Sequence, residues 1–235
     1  MKKLFVICLA VSAIFSCKRA ETGFSQEERR LINSADSIMR VLTIEDSLDL
    51  AVLRAVSRDF SADALMSKDF ARLSELMVAT VTHPSQDGVG IAGPQVGLSR
   101  RVVAVQRFDK EPVMNASGKM DHPFEVYPNI RIVCLSDSTA YGAEGCLSVP
   151  DMRADVLRST EVVVEYADLQ QLKENRLRHL PHAISNNSLK NKVLSNLDST
   201  GGDIPTILDT ISGFTAVIFQ HEIDHLEGIL YIDRL

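Results

Sequence analysis

The chain has 235 residues, 45% of them hydrophobic and 24% charged, which suits one globular domain with additions. Its 31 acidic residues outnumber 25 basic ones, for a formal charge of -6, so the basic footprint of a nucleic-acid binder is missing. Trp is absent and aromatics make up only 6%, which leaves no evident platform for stacking bases.

Lys2 and Lys3 precede a short apolar run, Leu4 to Phe15. It is too short to span a bilayer and suits the core of a signal peptide. The run closes on Ile14-Phe15-Ser16-Cys17, which resembles the lipobox of bacterial lipoprotein precursors, although Phe15 is bulky for its place. That resemblance implies cleavage before Cys17, lipid on its thiol and membrane attachment in the cell envelope. An unprocessed leader would instead leave the chain in the cytoplasm. Removing residues 1–16 takes away Lys2 and Lys3, leaving 23 basic against 31 acidic residues, a net of -8. Residues 17–47 then read as a tether or N-terminal extension, polar and at most loosely helical.

From residue 48 the chain reads as a catalytic body. Leu48 to Phe60 is an irregular lead-in. A helix is expected from Ser61 or Asp63 to about Thr82, because Leu65, Met66, Phe70, Leu73, Leu76, Met77 and Val81 form one apolar stripe. His83-Pro84 ends it. The glycine-rich stretch Gly88 to Gly97 is not followed by a helix N-terminus, which argues against a phosphate cradle. Its glycines let another backbone come close, and Gln95 inside it needs a polar partner. Arg101 to Phe108 is a strand built on a continuous apolar run, Asp109 to Pro123 an exposed loop, and Phe124 to Leu135 extended structure interrupted by Pro128. Within Arg131 to Leu135, Cys134 reads as a buried, inert thiol, although an envelope address would permit a disulfide with Cys146. Tyr141 to Pro150 places Cys146 in a turn beside glycine, and Thr160 to Ala167 is the clearest strand.

Gln170 to Thr210 is long for a connection in a compact domain, with a short helix expected over Ser188 to Leu197. A segment of this kind is either functional, as a lid over a cleft, or disordered. His179 and His182 fall within it, but Pro181 breaks any helical face they would share, so they are not read as metal ligands.

The last helix carries the chemistry. Phe214, Val217, Ile218, His221 and His225 recur at helical spacing, with Ser212 as N-cap and Gly228 as C-cap. His221-Glu222-Ile223-Asp224-His225 is an H-E-x-x-H pattern: a spacing of four points both imidazoles at one ion, and Glu222 can reach that ion's water. A catalytic site takes three protein ligands and keeps one position open. The residue that would be a third histidine downstream is Tyr231, and the sequence ends at Leu235, so the third ligand is sought upstream. Cys146 is the candidate, since a thiolate suits borderline metals. The fold class expected is α+β, with mostly antiparallel strands wrapped around a central C-terminal helix carrying HEIDH.

Three stretches together, Gly88-Val89-Gly90-Ile91-Ala92-Gly93-Pro94-Gln95, Glu144-Gly145-Cys146-Leu147-Ser148 and Gln220-His221-Glu222-Ile223-Asp224-His225, resemble the ordered motifs of peptide deformylases over roughly Leu48 to Leu235. The resemblance implies one divalent ion on Cys146, His221 and His225, Fe(II) in many members, with Zn(II), Ni(II) or Co(II) as other choices. It implies Glu222 as the acid–base residue and Gln95 with the Leu147 N–H as oxyanion donors. An N-formylated peptide would add to Gly90 and Ile91 as a strand. Glu144, Gly145 and Arg153 would lie along it, and Val89, Phe214, Val217 and Ile218 would form a methionine pocket. Gly93 departs from the alanine usual in the family, and Tyr127 from asparagine. The alternatives are an envelope metallopeptidase or a non-catalytic lipoprotein that binds metal or formyl peptides. Oligomeric state is not legible.

Overall fold

The computed structural model describes residues 23–86, 88–114, 118–178 and 204–235. The leader with Cys17, His179, His182 and the helix expected over Ser188 to Leu197 lie outside the described residues.

The first described segment opens with a capped helix and packs on the body. Ser25 opens α1 (Gln26–Ser34) with a capping box: its Oγ accepts the Glu28 N–H at 3.1 Å, and its own N–H donates to the Glu28 carboxylate at 2.7 Å. Glu28 also pairs at 2.6 Å with Arg100, whose side chain is fully buried. Phe24, Ile32, Met39 and Leu42 are buried in or against the body. These apolar residues are too widely spaced to show as a periodic stripe in the sequence. Asp46 caps α2 (Ser47–Leu53), so the lead-in expected to be irregular begins as a helix and is irregular only after Leu53. The helix expected from Ser61 to Thr82 is two, α3 (Ala62–Leu65) and α4 (Lys68–Val81), because Ser67 Oγ accepts the Phe70 N–H and starts a fresh helix.

β1 (Gly90–Ala92) pairs antiparallel with β2 (Val102–Gln106). The expected loop that follows holds a small exposed hairpin, β3 (Val113–Met114) with β4 (Met120–Asp121). β5 (Phe124–Pro128) completes a sheet of order β1-β2-β5, so β1 is an edge strand. Pro128 ends β5, and Asn129 turns the chain at φ 53 into β6 (Arg131–Leu135). Next comes a hairpin of β7 (Thr139–Cys146) and β8 (Val149–Ser159). β9 (Glu161–Ala167) leads to α5 (Leu169–Arg178), and after the long connection β10 (Thr206–Ser212) closes a second sheet of order β10-β9-β6. α6 (Gly213–Leu226) carries the H-E-x-x-H pattern. All pairs between these strands are antiparallel, and the class is α+β.

Cys134 is exposed, not buried. The β6 register shifts between Ile132 and Cys134, and a bulge of that kind moves the following side chains to the opposite face. Cys134 and Cys146 are both free thiols.

β2 explains where the core sits. Val102 and Ala104 face α4 residues Leu73, Leu76 and Met77, while Val103 and Val105 face Ile218, Phe219 and Ile223 of α6. A strand buried on both faces needs the uninterrupted apolar run seen in the sequence. Each such side chain contributes about 1.5–3 kcal/mol when fully buried. The layer thereby fixes α6 behind the edge strand β1. No helix of the described residues is long and apolar enough to cross a membrane.

Candidate metal centre and cleft

Ser212 is the N-cap of α6, though its side chain makes no capping hydrogen bond; the C-cap is Glu227 and not the expected Gly228, which follows it at φ 72. His221 and His225 lie one turn apart on its buried face, their ring centroids 5.1 Å from each other and nearly perpendicular. Cys146 is the last residue of β7, and the hairpin register breaks between Gly145 and Cys146. The bulge delivers the thiol to α6: Sγ lies 3.2 Å from His225 Nε2. Ligand atoms of Cys146, His221 and His225 all lie within 4.8 Å of one another.

Behind these residues stands a buried ionic chain. His221 Nδ1 and Glu144 Oε2 are 2.7 Å apart, which leaves His221 Nε2 to face the centre. Arg158 donates to both Glu144 oxygens at 2.7 and 3.0 Å and to Asp224 at 2.6 Å. Arg234 donates to Asp224 from outside at 2.5 Å. Burial alone would raise Glu144, but the hydrogen bonds with His221 and Arg158 hold its carboxyl at about 2. Burial opposes a proton on either imidazole. Hydrogen bonding with Cys146 and Glu144 nevertheless raises His221 to about 10, while burial and the charge of His221 drive His225 well below the usual histidine range. Glu144 had been expected along the substrate; it lines the cleft, but its carboxylate is committed to His221 and Arg158. Arg158, Asp224 and Arg234 escaped the sequence reading. The available signal was a lone arginine in the apolar run Val156-Leu157-Arg158, a position that demands buried acids.

Glu222 is 4% exposed, and its Oε2 finds no hydrogen-bond partner among the described residues. Burial pushes it up to about 7, near the value a general base needs at neutral pH. Gln95 sits in a 3₁₀ turn over Gly93–Val96 that follows β1. Its Oε1 accepts the Ala92 N–H at 2.8 Å, which aims Nε2 at Ser148 Oγ (3.2 Å) and Cys146 Sγ (3.5 Å). Leu147 lies in the turn between β7 and β8.

A cavity of about 700 Å³ opens over these groups. Val89, Gly90, Gly145, Arg153, Phe214, Val217 and Ile218 all line it, as does Leu147. Ile91 does not: its side chain is fully buried in the core against α4, and only its backbone belongs to the edge strand. Gln86, Asp151 and Met152, which the sequence reading passed over, complete the rim.

The residues fit a divalent ion. A cysteine thiol and two imidazoles, facing one another at this range, make a ligand set suited to a divalent ion. A buried carboxylate oxygen without a partner is costly unless a polar or charged group comes to it.

A sequence profile of the family described as "Polypeptide deformylase" matches residues 38–179 and 197–235. A peptide deformylase of Leptospira biflexa is 32% identical over 184 residues, covering 78% of this chain and 82% of its own. "Peptide deformylase 2" of Gloeobacter violaceus is 33% identical, covering 78% of this chain and 74% of its own. A class I type b peptide deformylase from Acinetobacter baumannii, solved with Met-Ala-Ser bound, superposes with TM-score 0.59 at 29% identity, covering 84% of this chain and 98% of that one. The same enzyme with actinonin bound gives TM-score 0.58 at 29% identity, covering 85% and 99%.

Proposed function

This chain belongs to the polypeptide deformylase family, and we propose that it hydrolyses the formyl amide of N-formylmethionyl peptides in the cleft above Cys146, His221 and His225. It is a metal-dependent hydrolase that removes N-formyl groups from peptides. The observation that carries the assignment of roles is the convergence of three ligand atoms beside a buried, partnerless carboxylate.

An ion held by Cys146, His221 and His225, Fe(II) by preference, would supply a water whose pKa is lowered from 15.7 to about 7 and polarisation of the formyl oxygen. Glu222 would accept the proton of the water whose oxygen bonds to the formyl carbon, and would donate it to the amine nitrogen as the C–N bond breaks. Gln95 Nε2 and the Leu147 N–H face the oxygen on which charge develops, and losing one such donor typically costs about 2.7–4 kcal/mol of transition-state stabilisation. The free edge of β1 takes the peptide backbone as an added strand, Gly90 and Ile91 offering main-chain groups. Val89, Phe214, Val217 and Ile218 receive the methionine side chain, and Arg153 meets the peptide further along. Formate release from a formyl-methionyl peptide by the metal-loaded enzyme tests the reading. An enzyme that binds the ion through these three residues yet releases no formate would overturn it.

We further propose that the chain is lipid-anchored through Cys17 in the cell envelope and acts on formyl peptides that reach that compartment. The leader's charge and apolar pattern supports this. Five residues separate Cys17 from Gly23, a reach of at most about 20 Å, so the body would stand close to the membrane. Labelled fatty acid that follows wild type but not Cys17→Ala tests the anchor; equal labelling, or none, removes it.

A further inference from the structure

We propose that Leu42–Ile44 is a strap that sets the spacing of the two oxyanion-side loops, and that Asp49 is the positioning residue that holds the strap. The inference rests on Gln95 and Leu147 being the oxyanion donors, as proposed above.

The two loops come from different parts of the fold. Gln95 follows the edge strand β1 of one sheet, while Leu147 and Ser148 form the turn of the separate β7–β8 hairpin. No strand ladder joins them. A direct link runs between side chains, Gln95 Nε2 to Ser148 Oγ at 3.2 Å. The main-chain link is the strap: the Leu42 N–H donates to the Gln95 carbonyl at 2.8 Å, and the Ile44 N–H donates to the Ser148 carbonyl at 2.9 Å. Leu42 and Ile44 stand only two residues apart, so one short span of main chain holds both loops. Each N–H grips the residue whose own side chain or immediate neighbour carries an oxyanion donor.

The strap is itself tied down. Asp49, 6% exposed, accepts the Thr43 N–H at 3.2 Å and a bidentate pair from Arg40 at 2.9 and 2.6 Å. Just upstream, the Met39 N–H donates to Thr80 Oγ1 of α4 at 2.8 Å. Ile44 packs against the buried cluster of Val149, Val156, Leu230 and Tyr231, the same cluster that Cys146 packs against. α2, which carries Asp49, packs against the 3₁₀ turn of Gln95. The carboxylate thus fixes the middle of the strap while its two ends fix the loops. Donors to a developing oxyanion act only when held within a fraction of an ångström, and misplacement by about 1 Å costs up to 10²-fold in rate.

The test is a double-mutant cycle in the metal-loaded full chain, with Asp49→Asn and Arg40→Gln each made in wild-type and Gln95→Ala backgrounds. Arg40 is largely exposed, so its variant preserves the fold if Asp49→Asn does not. The expected result is a fall in kcat of about 10-fold for Asp49→Asn, less for Arg40→Gln, with KM within about 2-fold and most of the effect gone in the Gln95→Ala background. Amide hydrogen exchange at residues 42–44 and 145–149 should quicken together in both variants. Unchanged kcat, an equal loss in both backgrounds, or exchange that quickens in 42–44 alone overturns the strap. Were wild type to release no formate, the functional reading would fail, and the exchange result would still decide the strap.

Discussion

The carboxylate of Glu222 lies where a side chain on residue 90 would have to be: a Cβ built on Gly90 would stand 2.4 Å from Glu222 Oε1 and 2.9 Å from its Cγ. The edge strand and the helix thus meet at a point where a Cβ would have to push the carboxylate aside. Gly90→Ala should therefore displace the acid–base group while leaving the fold intact. The expected loss in kcat is about 10²-fold with little change in Tm, read by formate release alongside thermal unfolding. Full activity in Gly90→Ala would mean that Glu222 is not held by this contact.

Glu222→Ala should keep the ion and lose turnover, because the ligand set of Cys146, His221 and His225 is untouched. A drop of about 10²–10⁴-fold is expected for a lost general base. Metal content per chain and formate release, measured on one preparation, check both halves.

In the metal-free protein Glu222 should cost stability as pH rises from about 4.5 to about 7, against an opposite trend from His225, which burial drives below the usual histidine range. Burial raises Glu222 to about 7 from an unfolded value of 4.5, so the folded state favours the protonated acid. Its contribution is fully present below the unfolded value and is lost as the pH passes through the folded one, a few kcal/mol at most. Glu144 has the opposite sign: held at about 2, it contributes above 4.5 and loses that contribution as pH falls towards 2. Across this range the urea midpoint of the metal-free wild type, less that of Glu222→Gln, should fall as pH rises. A slope that Glu222→Gln leaves unchanged would assign the effect elsewhere.

Gly93→Ala installs the residue usual in the family, yet it should destabilise this protein. A Cβ at 93 would lie 2.5 Å from the Arg100 carbonyl oxygen and 2.9 Å from that of Leu98, both main-chain atoms that cannot swing aside. The cost of such overpacking is about 1–3 kcal/mol, which for a chain of this size lowers Tm by about 2–4 °C per kcal/mol. A variant as stable as wild type would show that the 98–100 loop yields.

Arg158→Ala should damage both fold and centre, since it leaves Glu144 and Asp224 buried without their shared cation. Breaking a buried pair in this way costs about 3–5 kcal/mol. With Glu144 no longer held, His221 loses its orientation, and metal affinity should fall about 10–100-fold. Calorimetric titration of the metal and chemical unfolding read the two effects separately. Wild-type affinity in the variant would sever Arg158 from the centre.

Reading the chain alone determined the parts whose signal is local. The spacing of His221 and His225, the apolar run of Val102 to Val105 and the stripe from Phe70 to Val81 are written in the turn of a helix and the pleat of a strand, and they survive folding unchanged. The tertiary structure decided what depends on register and distance. Bulges before Cys146 and Cys134 turn one thiol to the histidines and the other to solvent, and neither bulge has a periodic signature. Phe24, Ile32, Met39 and Leu42 dock the first described segment on partners that lie far along the chain. Arg158 found Glu144 and Asp224 only once β8 and α6 were packed together, since a buried charge is satisfied by neighbours in space, not in sequence.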